Sequence, residues 1–92
     1  MDASLNETML LDIKVSLKRE RLGKKGQKAD DTYTTTYIVM GNLPLEEFKA
    51  LLKATSEKEL ILRTELGQMK VRFEALEYKG DGGQFTLTLS EQ

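Results

Sequence analysis

The chain has 92 residues, of which 39% are apolar and 32% charged, with a formal net charge of −1. That length supports one small core rather than two, and the apolar and charged fractions belong to a folded domain with a well-hydrated surface. Neither Cys nor His occurs, which excludes disulfide staples, thiolate or imidazole metal ligands, a thiol nucleophile and the commonest general base.

Residues 1–8 include Asp2 and Glu7 and lack a basic segment followed by an apolar run, so they read as a flexible start rather than a secretory signal. Over residues 9–17, Leu11, Ile13, Val15 and Leu17 alternate with Asp12, Lys14 and Ser16, the period-two pattern of a strand with one buried face. Residues 33–40 are almost all β-branched or aromatic and form a second strand, with Tyr33, Tyr37 and Val39 on one face and Ile38 and Met40 on the other. This pattern predicts burial on both faces near the strand's end.

Gly41 and Asn42 break that strand, and Pro44 opens a helix over residues 44–54, where the missing amide hydrogen costs nothing. Glu46 and Glu47 complement the positive end of the helix dipole, and Leu45, Phe48, Leu51 and Leu52 define the face expected to pack on a sheet. A third strand follows over 59–65, with Leu60 and Leu62 opposite Ile61, and Leu66, Gly67 and Gln68 turn the chain into a fourth over 69–78. In the fourth, Met69, Val71, Phe73 and Ala75 share a face until Leu76 and Tyr78 take over the apolar role, a change of phase that predicts a bulge near Ala75. Gly80, Asp81, Gly82 and Gly83 are a turn, and residues 85–89 a fifth strand.

The expected fold is therefore α+β, of order ββαβββ: a mainly antiparallel five-stranded sheet with one helix on one face, forming a single domain over residues 1–92. One helix covers five strands thinly, leaving an edge or the opposite face available to a partner or a second copy of the chain.

The long connection, residues 18–32, carries the strongest charge feature. Lys18, Arg19, Arg21, Lys24, Lys25 and Lys28 are opposed within their window only by Glu20, so that window holds +5 and the remainder of the chain −6. A near-neutral total thus conceals a polarised molecule. These six residues are the candidate contacts to an anionic partner, nucleic acid or a ribonucleoprotein surface, because Lys and Arg displace counterions from phosphates. The competing reading is a solvated hairpin tip whose lysines prevent edge-to-edge pairing.

Asp30, Asp31, Glu74, Glu77 and Asp81 match no metal-loop spacing, and the Gly80–Gly83 cluster precedes no helix that would present its amino terminus to a phosphate. The expectation is thus a non-catalytic, cofactor-free and metal-free interaction module, cytoplasmic and away from membranes. The alternative is a protein–protein module, either a homo-oligomeric structural component or a small inhibitor of the kind that phage and mobile elements carry as accessory proteins.

Overall fold

The computed structural model describes residues 2–22 and 32–92, with the backbone alone at residues 20–22, 32 and 33. Two short strands, β1 (Ala3–Leu5) and β2 (Thr8–Leu10), are followed by β3 (Lys14–Leu22) and β4 (Thr32–Asn42). The helix α1 (Leu45–Ala54) leads to β5 (Leu60–Thr64), β6 (Gly67–Lys79) and β7 (Gln84–Glu91). All pairings are antiparallel, in one seven-stranded sheet of order β2-β1-β5-β6-β7-β4-β3.

The α+β class and the single helix agree with expectation, whereas the expected count of five strands is corrected to seven. Both additional strands arise in the amino-terminal part, where β1 and β2 form a hairpin turned by Asn6 in the left-handed region at φ 53°. The Asn6 side-chain amide donates to the Glu59 carbonyl at 2.9 Å and accepts from the Ile61 amide at 2.8 Å, pinning this hairpin to the start of β5. The alternating run 9–17 is consequently two strands, broken where Asp12 takes φ 51°. Leu11 turns outward there while Leu10 and Ile13 enter the core.

Connectivity forces the sheet to curl. β2 and β3 occupy opposite edges, and a flat sheet of seven strands would separate those edges by about 29 Å at the usual strand spacing. Only residues 11–13 join them, and the Cα path from Leu10 to Lys14 reaches no further than about 15 Å. The sheet therefore rolls into an open half-barrel, whose concave side holds the core: Leu5, Leu62, Val39, Phe85, Leu87 and Leu89 are buried there.

Helix α1 joins this core through Leu51, which is fully buried, and through Phe48, which stacks on Tyr78 with ring centroids 4.0 Å apart. The rest of the expected packing face is less used, since Leu45 and Leu52 are both more than half exposed. Pro44 is the cap just before the first helical residue rather than the first residue itself, one place later than expected, and Thr55 closes the helix by donating its hydroxyl to the Leu52 carbonyl at 2.7 Å. Ahead of the helix, the Leu43 amide donates to the Gly83 carbonyl at 2.8 Å and the Tyr78 hydroxyl donates to the Leu43 carbonyl at 3.1 Å, so the β6–β7 turn latches the helix entry.

β6 carries the bulge that the change of phase predicts: its register with β7 shifts between Phe73 and Ala75, leaving Glu74 as the additional residue. Tyr37 and Val39 on β4 face the core. Burial on both faces is not reached, because Met40 lies on the convex side and is exposed.

Candidate functional site

Lys18, Arg19 and Arg21 belong to strand β3, which runs to Leu22; β4 begins at Thr32, so the connection between them is shorter than the expected 18–32. Lys24, Lys25 and Lys28 lie outside the described residues, as do Asp30 and Asp31. Strand alternation divides the basic run between the two faces of the sheet. Lys18 shares the convex face with Lys14 and Ser16, while Arg19 falls in phase with Val15 and Leu17 on the concave side.

Register then shows what accompanies Lys18. It pairs with Thr36, Thr36 with Ser90 and Ser90 with Arg72, one lateral row across β3, β4, β7 and β6. Two residues back along β6, on the same face, stands Lys70, and Arg63 projects from the neighbouring strand β5 opposite Gln68. Arg63 is held by a hydrogen bond from its Nε to the Gln68 side-chain oxygen at 3.1 Å. Lys18, Arg63, Lys70 and Arg72 are all exposed, and among the described residues no ion pair engages Lys70 or Arg72.

The convex surface thus has a cationic band at the end of the half-barrel where the β3–β4 and β5–β6 connections lie. Its floor is made of the small hydroxyl side chains Thr36 and Ser90. The band ends at the bulge: the Ser90 hydroxyl donates a hydrogen bond to the Glu74 carboxylate at 2.6 Å, and Glu77 follows on the same face. The change of phase at the bulge puts Glu77 on the convex face and Leu76 on the concave one.

Arg63, Lys70 and Arg72 are absent from the expectation drawn from the sequence. They stand 35 to 54 positions from the basic run and alternate with Leu62, Met69 and Val71, so each looks like an ordinary solvent-facing strand residue. Only the lateral pairing of β6 with β7, and of β7 with β4, brings them level with Lys18.

The concave side of the same end is chemically different. Val15, Leu17, Thr35, Tyr37, Thr64, Leu66 and Met69 line a small apolar cavity of about 190 Å³. Leu17 and Leu66 at its rim are 57% and 79% exposed. Tyr37 is buried near this opening, and desolvation, with a smaller contribution from the Glu91 carboxylate, raises its hydroxyl above the ordinary tyrosine range.

At the other end of the half-barrel, a depression of about 720 Å³ is a surface hollow bordered by Asp12, Lys14, Glu77 and Lys79. Carboxylates and ammonium groups alternate around it without converging on one point. Among the described residues, no group of three or more acidic side chains is placed to hold a metal ion, and no helix is long and apolar enough to cross a membrane.

The geometry defines a half-barrel with a cationic convex band and an apolar concave mouth at the same end. Compared with protein-family models, curated proteins and solved structures, the chain matches none.

Proposed function

We propose that this protein is a non-catalytic module that binds an anionic polymer, nucleic acid, through its basic β3–β4 segment and the convex band that continues it. The observation that carries this reading is the lateral row Lys18–Thr36–Ser90–Arg72, flanked by Lys70 and Arg63. It brings cations from distant parts of the chain level on one face, with the Glu74 carboxylate at its margin, and Lys and Arg so placed displace counterions from a phosphate backbone. The hydroxyl of Thr36 adds a neutral donor of the kind that positions phosphates.

The test is fluorescence anisotropy with labelled oligonucleotides, comparing the native chain with one in which Lys18, Arg19, Arg21, Lys24, Lys25 and Lys28 are all replaced by Gln. Native binding is expected to weaken steeply between about 50 and 200 mM salt, with a logarithmic slope near −5 if six phosphates of a duplex are neutralised. The sextuple variant should lose most of that slope. Equal binding by both chains would refute the reading.

A second reading, a protein–protein module, is favoured by the apolar mouth and by the unpaired outer edge of β3. Leu66 presents a large apolar side chain to solvent beside a cavity that another side chain would fill. Sedimentation velocity separates the two: a concentration-dependent oligomer abolished by Leu66→Asp, without nucleic-acid binding, supports the protein interface.

A further inference from the structure

We infer that the groove between the β2–β3 link and the entry to α1 is a docking site for an arginine of a partner protein, whose stem lies on Met9 and Leu11 and whose guanidinium meets Asp12 and Glu47. The groove shares Asp12 and Asn42 with the 720 Å³ hollow, at the opposite end of the half-barrel from the cationic band. It is a second surface, of opposite sign, and does not depend on nucleic-acid binding.

The groove measures about 490 Å³, with Met9, Leu11 and Asp12 on one wall and Asn42, Leu43 and Glu47 on the other. The first wall is built at a conformational cost. Asp12 takes φ 51°, a left-handed conformation that few residues other than glycine adopt, and its amide donates a hydrogen bond to the Asp2 carboxylate at 3.2 Å. This turn throws Leu11 out of the strand alternation, leaving it 55% exposed beside a groove where Met9 is 64% exposed. Leu43, across the groove, is buried in the core. Backbone strain kept where it exposes two large apolar side chains points to a contact made there.

The polar groups select the occupant. Among the described residues, the side chains of Asp12, Asn42 and Glu47 make no hydrogen bond or ion pair, and Asp2 brings a further carboxylate beside Asp12. All of them offer acceptor oxygens and the carboxylates carry charge, so the groove repels an anion and attracts a cation. Lys14 and Lys79 border the neighbouring hollow and do not line this groove. A small hydrated cation would leave Met9 and Leu11 bare. An arginine satisfies both halves, because its methylene stem covers apolar surface while a planar, weakly hydrated guanidinium spreads its donors to acceptors on opposite walls. Lysine carries the same charge as a compact, strongly hydrated point, which serves separated acceptors less well.

The experiment titrates the isotope-labelled full chain with the blocked tripeptide acetyl-Leu-Arg-Leu-amide and follows backbone amide chemical shifts. A control peptide carries citrulline, the neutral isostere of arginine, at its centre. Shifts are expected at Met9, Leu11, Asp12, Asn42 and Glu47, and the citrulline peptide should bind at least about threefold more weakly. D12N/E47Q removes both charges and should weaken the arginine peptide by about threefold or more, whereas L11S should weaken both peptides. Asparagine tolerates the left-handed conformation, so D12N/E47Q should melt within about 4 °C of the native chain. The comparison of the two peptides on the native chain needs no variant at all. Equal binding of the arginine and citrulline peptides overturns the inference, as does unchanged binding by either variant. Shifts centred on Leu17 and Leu66 at the apolar mouth, or no shift into the millimolar range, also overturn it. So do groove shifts that follow protein concentration without peptide, since the occupant is then a second copy of this chain.

Discussion

Replacement of Gly83 by Ala tests whether the β6–β7 turn is the latch that places the helix entry. Gly83 has φ +67°, and a Cβ there would lie 2.5 Å from the Leu43 carbonyl oxygen, the atom that also accepts the Tyr78 hydroxyl. The left-handed conformation costs a non-glycine residue about 1–2 kcal/mol. Relieving the overlap requires backbone movement that breaks the Leu43–Gly83 bond and weakens the Tyr78 bond, each worth about 1 kcal/mol. The expected loss is therefore about 2–4 kcal/mol, out of a total stability of roughly 5–14 kcal/mol for a chain of this length. In a thermal melt followed by circular dichroism, that corresponds to a fall of at least about 8 °C.

Two neighbours separate the components. Gly82 has φ +89° but open space around its Cβ position, so Gly82→Ala carries the conformational strain alone, about 1–2 kcal/mol. Gly80 lies outside the positive-φ region with equally open space, so Gly80→Ala should be neutral or stabilising by up to about 1 kcal/mol through the unfolded chain. The ranking expected is Gly80→Ala, then Gly82→Ala, then Gly83→Ala. If Gly83→Ala melts within about 2 °C of Gly82→Ala, contact with Leu43 is not what constrains this turn.

Asn6→Ala removes both bonds to β5 and leaves alanine at φ 53°, so urea denaturation should show a loss of about 2–3 kcal/mol; Asn6→Gly should recover about 1 kcal/mol of it by relieving the backbone. A similar loss in both variants would mean the side-chain bonds alone matter. Leu62→Ala empties a fully buried site at the centre of the concave face and should cost about 2–5 kcal/mol, whereas exposed Leu66→Ala should stay within about 0.5 kcal/mol. Near-equal midpoints for these two would contradict the placement of the core. Because folding raises the Tyr37 hydroxyl, the folded state holds a proton that the unfolded chain releases near pH 10. Stability is thus full below about pH 10 and declines as pH rises toward the raised value, by up to about 1.4 kcal/mol per pH unit. Denaturation midpoints taken across that range should decline less steeply for Tyr37→Phe, and parallel curves would exclude this assignment.

Much of the local structure was legible because its causes are local. The helix start just after Pro44, the core-facing Leu60 and Leu62, the Gly80–Gly83 turn and the bulge beside Ala75 each follow from the residues involved or from their immediate period. The division of residues 9–17 into two strands was not legible. Leu11 keeps the alternation of Ile13 and Val15, and nothing in the pattern shows that Asp12 adopts a positive φ. The β1 strand escaped for a related reason. Its three residues are too short a window for periodicity, and its burial depends on pairing with β5, whose residues lie more than fifty positions away.

The candidate surface divides along the same line. Composition and local charge determined that the chain would be a small α+β domain without His or Cys chemistry and with its positive charge concentrated after Leu17. Which cations lie level with one another was decided by tertiary structure alone. Alternation along β3 sends Lys18 to the convex face and Arg19 to the concave one, and the order β6-β7-β4-β3 sets Arg72 level with Lys18 across two intervening strands. Strand order is fixed by long-range pairing and by the curl that three connecting residues impose between the sheet's edges, and neither leaves a period or a motif in the chain.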